Sequence, residues 1–251
     1  MIETQQKNRI LALETTGEIA SVCIADFDNN SQDTVRLIEK ESTQMRNHLT
    51  ELMPMIRDAL NEADIKLSEI DAIAVSAGPG SFTGMRIGVS TARALAQVKE
   101  IPVIKVPTLE TFIFASAGIV CPIFDARLSQ LYAGVFEKEN NPISKNILVP
   151  GGAYLPDDFF SDLTSIMKDS EQIITFFGDG IKAFRKEMEE WIQTSGASVK
   201  IDSETIQKAI YVAKWAFHFG KLSSYSSLEP IYIRKAEAQR RLDEGLLKPK
   251  A

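Results

Sequence analysis

The segment Ala72-Ile73-Ala74-Val75-Ser76-Ala77-Gly78-Pro79-Gly80-Ser81-Phe82-Thr83-Gly84-Met85-Arg86 passes from an apolar run through a glycine-rich turn into a helical pattern. The first four residues read as a short buried strand, and Gly78, Pro79 and Gly80 stop it with a turn that has little side chain. Ser81 or Thr83 then supplies an N-cap for a helix that runs to about Val98. A strand, glycine turn and helix start in this order leave backbone N–H groups at the positive end of a helix dipole, an ordinary way to hold phosphate. Gly78, Gly80, Ser81, Thr83 and Gly84 are therefore candidate phosphate-turn residues.

The turn lacks the features of the two common nucleotide fingerprints. A P-loop needs G-x-x-x-x-G-K-[ST], and no lysine follows the glycines here. A dinucleotide fingerprint needs G-x-G-x-x-G, whereas the third glycine, Gly84, comes one position late.

At 251 residues, with 44% hydrophobic and 25% charged side chains, the chain has globular composition and room for one large or two smaller domains. Its net charge of −6 argues against a protein that binds nucleic acid unaided. The 230–251 tail is locally basic, with Arg234, Lys235, Arg240, Arg241, Lys248 and Lys250, and reads either as a solvated tail or as a docking segment. Cys23 and Cys121 lie in apolar runs, which suggests buried thiols. The first residues have no apolar signal core, and residues 113–124 are too short for a membrane span. A cytoplasmic protein with no membrane contact is expected.

Working outward, residues 9–15 and 19–26 form an expected hairpin around Thr16-Gly17-Glu18, followed by a strand over 34–41. A helix over 47–63, the strand over 72–77, the helix over 84–98 and a strand over 103–106 complete the first half. In the second half, 121–125 and 131–137 suggest another hairpin, with a strand near Ile147. A helix over 154–168, a strand over 173–177, a helix over 181–193 after Gly178-Asp179-Gly180, and a final helix over 204–219 follow.

A three-strand meander followed by helical crossovers predicts a mixed sheet. This order resembles the ribonuclease-H-like half of the actin, sugar kinase and heat-shock ATPase superfamily, in which the fold usually occurs twice. The expected fold class is α/β, with two domains, each a mixed sheet with flanking helices. Residues 1–107 form the first, partner-binding domain and 108–251 the second, whose 204–219 helix is a candidate to pack back on the first.

Histidine chemistry is limited to His48 and His218, which lack metal-ligand spacing and a recognisable triad. Glu14 and Asp125, each at a strand end, are either turn-capping carboxylates or residues acting through a magnesium-bound water, as in an ATPase or phosphotransferase. Along the helix after the glycine turn, Gly84, Gly88, Ala92 and Ala96 make a stripe with almost no side chain. Met45, Leu52, Met55 and Ala59 widen the apolar face of the preceding helix beside Leu49, Met53, Ile56 and Leu60. These two stripes are either internal packing or a helical interface with a partner. Pro54 is expected to kink its helix or to free a carbonyl.

Several stretches together resemble the TsaB (YeaZ) family: Ile10-Leu11-Ala12-Leu13-Glu14-Thr15-Thr16, Asn47-His48-Leu49 with Leu52-Met53-Pro54, the Gly78–Gly88 run Gly-Pro-Gly-Ser-Phe-Thr-Gly-Met-Arg-Ile-Gly, Phe124-Asp125-Ala126-Arg127 with Tyr132, and Glu229-Pro230-Ile231-Tyr232-Ile233-Arg234. The resemblance implies a non-catalytic subunit without a cofactor of its own, which activates a TsaD-like transferase and works with a TsaE-like ATPase. ATP and a metal are implied for those partners. It also implies that tRNA is met only through the complex, while a homodimer can form when the chain is alone. Glu14 departs from the family's usual aspartate, and Arg127-Leu128-Ser129-Gln130-Leu131 departs from its basic residue, glycine and glutamate.

Overall fold

The computed structural model describes residues 9–31, 33–44, 47–140, 143–168 and 171–233. Met45 and the basic residues from Arg234 onward lie outside them.

Strands β1 (Arg9–Glu14), β2 (Ser21–Phe27) and β3 (Thr34–Glu41) form the meander. Helix α1 (His48–Ala63) leads to β4 (Ala72–Gly78), and helix α2 (Phe82–Lys99) to β5 (Val103–Pro107). The sheet order is β3-β2-β1-β4-β5, antiparallel through β1 and parallel beyond it. A 3-10 segment, Leu109–Phe114, crosses to the second half.

There, β6 (Ile119–Asp125), β7 (Leu131–Asn140), β8 (Ile143–Tyr154), helix α3 (Pro156–Met167) and β9 (Ile174–Phe177) follow. The short helix α4 (Gly180–Ala183), α5 (Arg185–Ser195), β10 (Val199–Asp202) and α6 (Ala209–Phe219) complete the regular elements. The second sheet, β8-β7-β6-β9-β10, repeats the first in order and in strand direction. Two mixed five-stranded sheets with flanking helices make this the actin-like, ribonuclease-H-like α/β fold.

Alternation along β1 divides the interior into layers. Leu11 and Leu13 face α1 and α2 in one core, with Leu52, Ile56, Val89 and Ala92. Ile10 and Ala12 face the opposite way, toward α6 and the 3-10 segment, in a core that also contains Val120, Phe136 and Phe177 of the second sheet. The far side of the second sheet packs on α3 and α5 around Phe159, Leu163 and Trp191. Because both faces of β1 are covered, its residues form a continuous apolar run rather than an alternating one.

Helix α6 lies against β1, β2, β4 and β5 of the first sheet. Its first N–H groups are met there by side chains: Ala209 N–H donates to Ser21 Oγ at 2.8 Å and Ile210 N–H to Glu39 Oε1 at 3.2 Å.

Two expectations need correction. The helix expected from 204 begins at Ala209, because the Asp202 carboxylate accepts from the N–H groups of Glu204 and Thr205 and holds a turn. The single helix over 181–193 is two, divided at Phe184 (φ −117°, ψ 34°). Helix α1 runs unbroken through exposed Pro54, which has no N–H to give the Thr50 carbonyl, so that carbonyl is freed from the helical ladder as expected.

Candidate functional site

The glycine turn and the β1–β2 turn meet at the carboxyl ends of β1 and β4. Gly78 has φ +119°, a conformation that favours glycine, and its N–H donates to Thr108 Oγ1 at 3.2 Å. Ser81 caps α2 by accepting from Gly84 N–H at 3.2 Å. Ser81's own N–H donates to the Thr16 carbonyl at 2.8 Å, while Thr15 Oγ1 donates to the Gly84 carbonyl at the same distance. A Cβ on Gly84 would stand 1.9 Å from the Thr15 carbonyl oxygen, and one on Gly88 2.3 Å from Thr15 Oγ1.

The structure thus brings the candidate residues Gly78, Gly80, Ser81, Thr83 and Gly84 together, but uses three of their N–H groups internally. The Thr16 carbonyl takes the Ser81 N–H, and Thr83 is exposed. From the other direction, Ile231 N–H donates to the Ala77 carbonyl at 2.7 Å, so the chain's last described segment also closes on this turn.

Glu14 and Asp125 occupy equivalent positions, at the ends of β1 and β6, and each caps its own turn. Thr16 donates to Glu14 Oε1 through its N–H at 2.5 Å and its hydroxyl at 2.6 Å. Arg127 donates to Asp125 Oδ1 through its N–H at 2.7 Å and to Oδ2 through Nη1 at 3.0 Å. The turn-capping reading of both carboxylates is the one the geometry supports. Glu14 is fully buried with Oε2 unpartnered, and burial raises its pKa against the opposing effect of the Ser76 and Thr16 hydroxyls. A carboxyl sealed in this way is poorly placed to orient a metal-bound water. Among the described residues, no group of three or more His, Cys, Asp or Glu could hold a metal ion.

His48 is buried rather than on the surface, with Nε2 2.9 Å from the Gly17 carbonyl, and so ties the β1–β2 turn to α1. Cys23 and Cys121 are buried free thiols in different cores.

The candidate partner residues require the main correction. Leu52, Met55, Ala59, Gly84, Gly88, Ala92 and Ala96 are all buried, inside the core between the helices and the first sheet; Met45 lies outside the described residues. The bare stripe of α2 approaches the end of β1, through Thr15, rather than another protein. On α1 the two stripes divide differently: Ile56 is buried and Leu60 packs on the core beside Leu52, Met55 and Ala59, while Leu49 and Met53 turn outward. Leu52, Met55, Ile56, Ala59 and Ala63 form a row running the length of the helix, and that row wins the sheet. The row begun by Leu49 and Met53 meets exposed Arg57 and faces outward, with Leu49 77% and Met53 50% exposed.

Residue-level reading missed a cluster at the start of α2. Arg86 lies 4.1 Å from the Phe82 ring centroid and donates through Nε to the Tyr232 hydroxyl at 3.0 Å. Tyr232 is 146 residues away in sequence, and only the Pro-x-Tyr-x-Arg ending marked it.

Comparisons with known proteins agree with this architecture. The sequence profile of the TsaD family, tRNA N6-adenosine threonylcarbamoyltransferase, matches residues 38–218. The TsaB tRNA threonylcarbamoyladenosine biosynthesis protein of Bacillus subtilis is 28% identical over 244 residues, covering 94% of this chain and 98% of its own. Its Escherichia coli counterpart is 35% identical over 140 residues, 54% of this chain and 58% of its own. The solved YeaZ structure from Pseudomonas aeruginosa superposes with a TM-score of 0.70 at 24% identity, covering 90% of this chain and 99% of its own, which shows the shared fold. With a family profile spanning most of its length and a TsaB relative matched almost end to end, the chain belongs to the TsaB (YeaZ) family of tRNA threonylcarbamoyladenosine biosynthesis.

Proposed function

We propose that the chain is a non-catalytic scaffold and activator subunit, which binds a TsaD-like transferase and acts with it and a TsaE-like ATPase on tRNA in the cytoplasm. The observation that carries the non-catalytic reading is the closed glycine turn. Three of its N–H groups, those of Gly78, Ser81 and Gly84, are taken by Thr108, Thr16 and Ser81, and the nearby Glu14 is buried. The partner contact is assigned to the outward face of α1, where Leu49 and Met53 stand one helical turn apart and exposed. The TsaD profile matches this chain, so a TsaD-like partner shares its fold and carries a corresponding helix pair. Like faces can then pair about a pseudo-two-fold axis, and a second copy of the chain can fill the same place when the partner is absent.

The test is co-purification of the full chain with the transferase from the same cell, read by light scattering, and then a tRNA modification assay. Leu49→Glu with Met53→Glu is expected to abolish the complex and the activation while leaving the melting temperature of the chain within a few degrees of the parent. Retention of the complex by a folded double variant would refute the assigned face. Modification at full rate without the chain would refute the activator role.

A further inference from the structure

The seam between the two halves carries a concentration of cations and aromatic rings that the proposed scaffold role does not use. Lys138 of β7 and Lys145 of β8 are directly opposite in the strand register, a like-charge pair on one sheet face. Lys138 Nζ lies 5.1 Å from the Phe114 ring centroid, and Phe114 stacks on His218 with centroids 5.6 Å apart. Lys145 Nζ lies 4.5 Å from the Trp215 ring and 5.3 Å from the Phe219 ring. Lys214 is one turn before His218 on α6, and its charge is felt at both Lys138 and His218.

Among the described residues one carboxylate is paired with these cations: Glu110 pairs with Lys145 and accepts from Trp215 Nε1 at 3.1 Å. Lys138 and Lys214 remain as excess positive charge, each partly exposed, beside the partly exposed rings of Phe114, His218 and Phe219. Burial, and after it the charges of Lys138 and Lys214, lowers His218 to about 4, and burial with Lys214 lowers Lys138.

We propose that this seam is an RNA-contacting surface for the tRNA substrate, with Lys138 and Lys214 meeting backbone phosphates and the Phe114, His218 and Phe219 rings offering a stacking face to an unpaired base. Lysines supply sequence-independent attraction to phosphate, and aromatic rings bind any base through its π-face. The net charge of −6 makes this a local contact that adds to a partner's grip on the tRNA. The inference rests on membership of the tRNA-modifying family and not on the α1 interface.

The probe is an unmodified tRNA transcript, titrated by fluorescence anisotropy over a salt series against the full chain, alone and with the transferase. Lys138→Gln with Lys214→Gln is expected to weaken binding about tenfold at low salt and to make the slope of log K against log salt shallower by about two. Phe219→Ala is expected to weaken binding with little change of slope, because stacking releases no counterion. Co-elution with the transferase and thermal unfolding are measured on every variant. Loss of co-elution would count against the scaffold reading alone, since at low salt, where attraction to phosphate is strongest, titration of the chain by itself still reads this surface. Unchanged affinity and slope in folded variants, or polyglutamate binding as tightly as tRNA, would overturn the proposal.

Discussion

Glu14 shows how one side chain can be determined by its surroundings. It ends an apolar strand, its Oε1 accepts twice from Thr16, and its other oxygen is buried without a partner. Burial raises its pKa above the ordinary 4.5, so the folded chain holds this proton more tightly than the unfolded chain does. Its contribution to stability is complete below pH 4.5 and is lost as pH rises through the higher folded value. Glu14→Gln keeps an acceptor for Thr16 and removes the charge. The variant is expected to match the parent near pH 4 and to exceed it increasingly as pH rises toward 8, read by urea unfolding across that range. A gap that does not grow with pH would refute the buried-acid reading. His48 cannot be read in isolation either: as the first residue of a helix it suggests the surface, and only the approach of Gly17 makes it an interior tie.

At the level of elements, α2 follows from its sequence better than its role does. The strand, glycine turn, Ser81 cap and helix occur where the residues predict them, because φ preferences and capping are local. Which neighbour uses the small-residue stripe is not local. Gly84 and Gly88 let α2 lie directly on Thr15, so Gly84→Ala is expected to destabilise the fold by about 3 kcal/mol, and Gly88→Ala by somewhat less, in chemical denaturation. Near-parental stability of both variants would show that the helix has room to retreat. The amphipathic face of α1 was legible as a pattern, with Ile56 and Leu60 on the core side, yet Leu49 and Met53 turn outward although they are as apolar as the residues that are buried. The edge strand β10, Val199–Asp202, holds only two apolar residues and was not read, whereas the equally short β9, Ile174–Phe177, was read from its largely apolar run.

In the whole molecule, the seam is the structural centre. Helix α6 comes from the end of the chain, yet it covers the first sheet, and Ser21 and Glu39 satisfy its opening N–H groups. Phe217 stacks on Phe27 at a centroid distance of 4.3 Å. A fragment ending at residue 107 loses this cover from Ile10, Cys23, Ala25, Phe27, Ile104 and Val106. Such a fragment is expected to bind a hydrophobic dye and to lack a cooperative melting transition; a sharp transition in the fragment would show that the first sheet holds without α6.

The sequence by itself determined the mixed-sheet order, the duplication of the fold, the glycine turn and the family. These depend on local conformational preference, on hydrophobic period and on a motif of contiguous residues. The tertiary structure alone decided that Thr16 accepts from the glycine turn, that the bare stripe of α2 faces inward and that Leu49 and Met53 face outward, while it bears out the packing of α6 on the first sheet that the sequence had offered. Each of these is a contact between residues far apart in the chain. Several neighbours were chemically acceptable for each stripe, and packing the whole molecule at once selected among them.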